Sequence, residues 1–435
     1  MSDVFLIHGW SVTSTETYRD LHNRLKENGL DLREVHLGRY VSLDDEIEVG
    51  DLARALQQAL VDSLGEPPWA NEFHFITHST GALVLRHWAV HHYVGDSLKN
   101  KPVGNMVFLA GPHGGSRLAH HGRSMIATVK FLGDTGKTLL RALELGSPFT
   151  WDGNSEWMDI GNWKDKGIRP FCLTGDRVEI EGLAQRIFSA GREPGSDMVI
   201  RVPAANLNMR RYRLHAANTS LERVGEISGV AFGALWRYTH SGPDYGIMNS
   251  IGEDANPRED RWQNLRLIVE CLKVSSERDY AEAFASLAEA SKQRRTGPFS
   301  QLVFRFIDQD GKPVNDYRVV LGRGENESAA AVEHVHKNHV EENRLVVFVD
   351  LSRLDRRYSY FLEFHAETGS PLTHYDPADF RVEIQRDIVE DVIRPDEITE
   401  IEVVVPRGAH KNLFRFHPAS ETDDRIKWNR QGEVD

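Results

Sequence analysis

Apolar positions in the first half of the chain switch between two periods. Residues 4–7 form a short unbroken apolar run that ends at His8-Gly9, the pattern of a buried strand. Residues 17–28 carry Tyr18, Leu21 and Leu25 on one helical face, and Gly29 follows as a stop. Residues 32–37 read as the next strand. Between 51 and 64, Leu52, Leu56, Leu60 and Leu64 recur at every fourth position, the stripe of an amphipathic helix, and Pro67-Pro68 ends it. Residues 73–76 predict a strand, Ser79 a turn, and 81–93 a helix; 105–109 and 168–173 predict two more strands. Strands alternating with helices imply a mostly parallel sheet covered on both faces.

Residues 112–166 interrupt this alternation. Met125, Ile126, Val129 and Leu132 make one apolar helical face, and Leu139, Leu140 and Leu143 another, so the segment predicts a helical lid insertion. Residues 258–292 are helical in pattern, and Gln293-Arg294-Arg295-Thr296-Gly297-Pro298 reads as a linker. Beyond it come short runs at 302–307, 317–321, 346–349, 360–365, 380–384 and 401–405, with the turn signal Asp308-Gln309-Asp310-Gly311 after the first. That series predicts a β-sandwich. The expected organisation is a catalytic α/β domain over 1–295, a β-sandwich over 300–407 and a polar tail over 408–435.

Composition narrows the function classes. The chain has 435 residues, 40% of them apolar, enough for a sizeable core. Its formal net charge of -13 argues against a nucleic-acid partner, which needs a Lys/Arg surplus. The two cysteines, Cys172 and Cys271, lie in apolar runs and read as buried free thiols, without a metal-type spacing. The N-terminus has no basic segment followed by an apolar one, and no stretch reaches the ~18–20 apolar residues of a membrane span. A cytoplasmic protein is expected, with signal-less secretion left open.

The strongest chemical signal is Thr77-His78-Ser79-Thr80-Gly81, placed between a strand and a helix. A nucleophile elbow has that context, and its usual form is Gly-x-Ser-x-Gly; here Thr77 stands at the first glycine. The turn lifts the serine hydroxyl to the sheet top, beside a helix N-terminus that favours developing negative charge. The second signal is Ile7-His8-Gly9-Trp10. An oxyanion hole takes one backbone N–H from the residue after the nucleophile and one from a loop after an early strand. Those donors would be Thr80 and Trp10. Asp176 directly follows a predicted strand, where a triad acid can sit, and His215 and His240 both stand where a loop could present a base.

These two segments, together with Pro112-His113-Gly114-Gly115-Ser116 after Leu109-Ala110-Gly111, resemble the bacterial lipase/esterase branch of the α/β-hydrolase superfamily. The resemblance spans about residues 1–250. A catalytic domain followed by a β-sandwich also resembles type VI secretion lipase effectors. The family order is Ser, then Asp or Glu, then His. Gly195-Ser196-Asp197-Met198-Val199-Ile200-Arg201-Val202-Pro203 resembles the segment in which such lipases carry the acid, with Met198 where a glycine is expected. Thr239-His240-Ser241-Gly242-Pro243-Asp244 resembles their histidine loop. The resemblance thus favours Asp197 over Asp176 and His240 over His215, and implies a Ser79–His240–Asp197 acyl-enzyme mechanism.

Other signals carry less. Gly133-Asp134-Thr135-Gly136-Lys137-Thr138 lacks the four residues that a phosphate loop needs between its first Gly and Gly-Lys. His334 and His336 would share a strand face, but no carboxylate or cysteine completes a metal set. His91-His92 and His120-His121 read as surface pairs. No cofactor and no metal are expected. The leading function is hydrolysis of lipid or phospholipid acyl esters, with membrane-surface contact and a protein partner for the β-rich part as accompanying expectations. The alternatives are a small-ester or amide hydrolase and a binding module with a retired triad.

Overall fold

The structure is a computed structural model. It describes all residues except 1, 10–17, 36–45, 94–101, 118–136, 162, 178–192, 325–326, 329–330, 356, 385–390, 412 and 414–435. Trp10, the apolar face made by Met125, Ile126, Val129 and Leu132, most of the 133–138 signal, His120-His121 and nearly all of the polar tail therefore lie outside the described residues. The chain folds into two compact units. The first comprises Met1–Met209, Gly225–Gln301 and Pro395–Ile398; the second comprises Arg210–Val224, Leu302–Arg394 and Thr399–Asp435.

The first unit is built on six parallel strands. They are β1 (Ser2–Ile7), β2 (Leu30–Val35), β3 (Phe73–His78), β4 (Val103–Leu109), β5 (Arg169–Gly175) and β8 (Ala231–Leu235). Their order is β2-β1-β3-β4-β5-β8, and every pairing is parallel. Each residue of β3 and β4 is buried, as expected of strands with helices on both faces. The helices are α1 (Leu21–Glu27), α2 (Val49–Leu64), α3 (Gly81–Trp88), α4 (Lys137–Leu143), α5 (Pro148–Ile160), α6 (Gln263–Leu272) and α7 (Glu277–Lys292). On α2 the stripe predicted from sequence is buried at Leu52, Leu56 and Leu60.

Two elements of this unit escaped the apolar pattern. The strand β8 reads Ala-Phe-Gly-Ala-Leu, and alanine and glycine carry little β-propensity. Helix α5 presents a weakly segregated face, yet Ser147 caps it by accepting the Thr150 N–H at 3.1 Å, and Trp151 and Trp157 anchor it. Within the segment read as a linker, the Arg294 guanidinium is buried between Asp176 and Asp396.

In the second unit, among the described residues, two larger sheets face one apolar core, and β15 (Thr373–Tyr375) pairs with β18 (Arg407–Ala409) in a small third sheet. The remaining strands are β6 (Met209–His215), β7 (Ser220–Ile227), β9 (Phe299–Asp308), β10 (Asp316–Arg323), β11 (Glu327–Ser328), β12 (Val332–Lys337), β13 (Arg344–Asp350), β14 (Tyr360–Glu367), β15 (Thr373–Tyr375), β16 (Asp379–Ile384), β17 (Ile398–Val405) and β18 (Arg407–Ala409). Four strands run β11-β10-β14-β16 and six run β12-β13-β9-β17-β6-β7. Phe304 and Phe306 from the larger sheet meet Phe364 from the smaller, with ring centroids 5.9 and 6.0 Å apart. The sandwich expected from sequence is thus present, and its larger sheet takes in β6 and β7, which come from the middle of the chain.

Candidate active site

The chain runs from β1 outward to β2 and then returns to lay β3 on the other side of β1. Strand order therefore reverses at β1, and in such sheets ligands bind in the crevice outside the carboxyl ends of the strands at that point. The register pairs Ile7 with Thr77, so His8-Gly9 and His78-Ser79 leave the sheet side by side. Thr77, which stands where the elbow motif has glycine, is a fully buried strand residue.

Ser79 is the turn residue. Its φ is 53°, in the left-handed region that non-glycine residues seldom occupy, and this backbone strain is what an elbow imposes. The turn is held by the Ser79 N–H donating to the Leu109 carbonyl at 3.0 Å and the Ala82 N–H donating to the Ser79 carbonyl at 3.0 Å. Ser79 is half-buried. Thr80 follows as the N-cap of α3. A Cβ at Gly81 would stand 2.6 Å from the Ile7 carbonyl oxygen and 2.8 Å from that of His8, so only glycine lets α3 leave so close to β1.

Asp197 sits in a tight loop closed by a bridge between Ser196 and Arg201. Its Oδ1 accepts the N–H groups of Val199 at 3.0 Å and Ile200 at 2.7 Å. Its Oδ2 lies 2.9 Å from His240 Nδ1, and the His240 N–H donates to the Asp197 carbonyl at 2.9 Å. Asp197 is fully buried and His240 is 8% exposed. A carboxylate held this way fixes the Nδ1–H tautomer, which leaves the lone pair on Nε2. Met198, at the position where a glycine was expected, takes φ 85°, the conformation that glycine adopts without strain. Gly175 makes room for this loop: a Cβ there would lie 2.1 Å from the Tyr238 carbonyl oxygen and 3.1 Å from Asp197 Cβ.

The alternative acid and base are placed elsewhere. The Asp176 carboxylate is engaged by Arg294 at 2.7 Å and by the Thr296 hydroxyl. Burial raises its pKa, and the Arg294 charge opposes that rise. His215 ends β6, in the second unit. Of the two oxyanion donors expected from sequence, Trp10 lies outside the described residues and Thr80 stands at the start of α3.

Further residues buttress the site; of these, Glu193 carried no signal in the sequence, while His78, His113 and Ser116 lie inside the segments read there without a role of their own. His78 is buried, its Nε2–H donates to the His240 carbonyl oxygen at 3.0 Å, and its ring lies 4.9 Å from that of His240 with the planes inclined by 36°. Burial, and then the neighbouring His240 charge, lower the His78 pKa to about 3, so this ring is neutral. Glu193 clamps the acid loop by pairing with Arg201 at 2.9 Å and with Arg117. Burial would raise the Glu193 pKa, but the two guanidiniums lower it overall. The Ser116 hydroxyl donates to the Val199 carbonyl at 2.6 Å, which gives the Pro112–Ser116 segment a role in holding the same loop. Beneath it, His113 accepts from Arg86 at 3.4 Å and lies 3.8 Å from Cys172 Sγ. Such interactions pair residues far apart in the chain, and no local motif announces them. Among the described residues no metal-ligand cluster includes Asp176, Asp197 or His240.

No protein-family model matches the chain, and neither does any curated protein. Two solved structures of phospholipase PlaB from Legionella pneumophila are similar to it over their whole length. One, in complex with thio-NAD, is 26% identical with a TM-score of 0.86, and 100% of each chain is covered. The other is 26% identical with a TM-score of 0.87, covering 100% of this chain and 99% of that one. The architecture is that of an α/β-hydrolase of the lipase/esterase type, with a β-rich C-terminal part.

Proposed function

We propose that this chain, a carboxylic ester hydrolase with the α/β-hydrolase fold, cleaves phospholipid acyl esters through a Ser79–His240–Asp197 acyl-enzyme cycle. The observation that carries the reading is the 2.9 Å pair between Asp197 Oδ2 and His240 Nδ1, with the His240 ring 4.9 Å from that of the residue that precedes Ser79. The lipid as substrate is supported by the end-to-end similarity to a protein described as a phospholipase.

In this cycle His240 Nε2 takes the Ser79 proton as Oγ attacks the ester carbonyl. Asp197 stabilises the imidazolium that forms. The Thr80 N–H, at the start of α3, and the Trp10 N–H receive the oxyanion. His240 then returns its proton to the departing lysophospholipid alcohol. Water hydrolyses the acyl-serine with the same base, which frees the fatty acid and restores Ser79. The β-rich part would offer a surface to a protein partner or a membrane.

A fluorophosphonate probe tests the nucleophile. Stoichiometric labelling at Ser79, lost in Ser79→Ala, is the expected result. Absence of labelling in well-folded wild-type protein would favour a binding module with a retired triad.

A further inference from the structure

Helix α3 passes directly into a π-helical turn, Ala89–Tyr93. Such turns are rare and recur at functional positions. His87 and His91 stand four residues apart across this junction, with ring centroids 4.0 Å apart and planes inclined by 37°. Glu156, on α5, comes in from the opposite side. Its two carboxylate oxygens lie 3.2 and 3.3 Å from His91 Nε2. One ligand atom from each of the three residues falls within 4.8 Å of the others. His91 is exposed, His87 and Glu156 are half-buried, and both of the latter line a shallow open depression shared with Arg86 and Phe149.

Two histidines at i and i+4 on one helix are a spacing that metals use. Two imidazoles and one carboxylate suit a borderline dication such as Zn²⁺ rather than Mg²⁺ or Ca²⁺, which take oxygen ligands. Zinc bonds of ~2.0–2.1 Å at tetrahedral angles place neighbouring ligand atoms about 3.3 Å apart. The His91–Glu156 separation already has that value. Arg54 of α2 also faces His87, but its charge is paired with Asp51.

We propose that His87, His91 and Glu156 bind one transition-metal dication of the zinc class. The ion would join α5, in the 112–166 insertion, to α3, the helix that begins beside Ser79. An open fourth position would hold water. The site is separate from the ester-cleaving residues and does not depend on the reading given for them.

The test uses the full-length protein, stripped with a chelator and dialysed. It is titrated with Zn²⁺ against a chromophoric competitor, and with Co²⁺ while the visible spectrum is recorded. The expected result is one equivalent bound, with tetrahedral Co²⁺ bands. Affinity should fall roughly tenfold or more in His91→Ala and in Glu156→Gln, and remain unchanged in His22→Ala, an exposed histidine on α1. Circular dichroism of each metal-free variant confirms the fold, and Glu156→Gln alone carries the test if His91→Ala does not fold. Absence of Zn²⁺ binding by wild type, or equal affinity across all the folded variants, would overturn the proposal.

Discussion

His78 and His240 are locked together: their rings lie 4.9 Å apart with planes inclined by 36°, and His78 Nε2–H holds the His240 backbone carbonyl at 3.0 Å. His78 immediately precedes Ser79 in the chain. The loop that presents the proposed base is therefore tied to the strand that leads into the proposed nucleophile. Both rings lie at the carboxyl end of the β1–β3 switch.

That coupling makes His78 a positioning residue. His78→Ala should lower kcat by about tenfold while KM changes little, because the base is misplaced rather than removed. Steady-state kinetics on a soluble ester, with a thermal midpoint as control, measures it. A change confined to KM would count against the assignment.

Asp197 and Asp176 should separate cleanly. Asp197→Asn is expected to keep the fold and reduce kcat by about 10⁴, as loss of the orienting carboxylate does. Asp176→Asn leaves the buried Arg294 guanidinium without the buried one of its two carboxylate partners and should destabilise the protein by about 3 kcal/mol, with a small effect on kcat. Urea denaturation and kinetics on both variants give the comparison, and the reverse pattern would exchange the two roles.

Gly81→Ala places a methyl carbon 2.6 Å from a backbone oxygen that cannot swing aside. The start of α3 must shift, and with it the Thr80 amide. The expected outcome is a loss of roughly 2 kcal/mol in stability and at least about tenfold in activity. Retention of both would mean that the turn is less tightly seated against β1.

Stability should fall with acid before the carboxylates titrate. Burial and neighbouring charge depress His78 to about 3, and burial and the Arg86 charge hold His113 well below its ordinary value. These two groups bind protons in the unfolded chain near pH 6.5 but not in the folded one. Their contribution is complete above that pH and is lost as pH falls toward the folded values. Each such group steepens the loss by up to about 1.4 kcal/mol per pH unit. Unfolding free energies measured on both sides of the ordinary histidine range should show net proton uptake on unfolding at the acid side; a flat profile would contradict it.

Most of the parallel sheet was legible because β1, β3, β4 and β5 carry short apolar runs bounded by turn residues, whereas β8, rich in alanine and glycine, carries none. The elbow at Ser79 was legible because strand, serine and Gly81 fall in one window. Helix α5 was not, since its anchoring tryptophans do not repeat at helical spacing. The strand β7 is largely exposed, so it carries no apolar alternation to read. Arg294 resembled part of a polar linker because its partners, Asp176 and Asp396, stand more than a hundred residues away. His78 went unremarked for a similar reason: its meaning lies in a ring that is distant in sequence.

The most direct measurement is fatty-acid release from phospholipid vesicles by wild type and Ser79→Ala. The expected result is clear hydrolysis by the wild type and a loss of at least about 10³-fold in the variant, at an unchanged thermal midpoint. A variant that keeps the wild-type rate would contradict Ser79 as the nucleophile. A wild type that cleaves short soluble esters but releases nothing from vesicles would contradict the phospholipid as substrate.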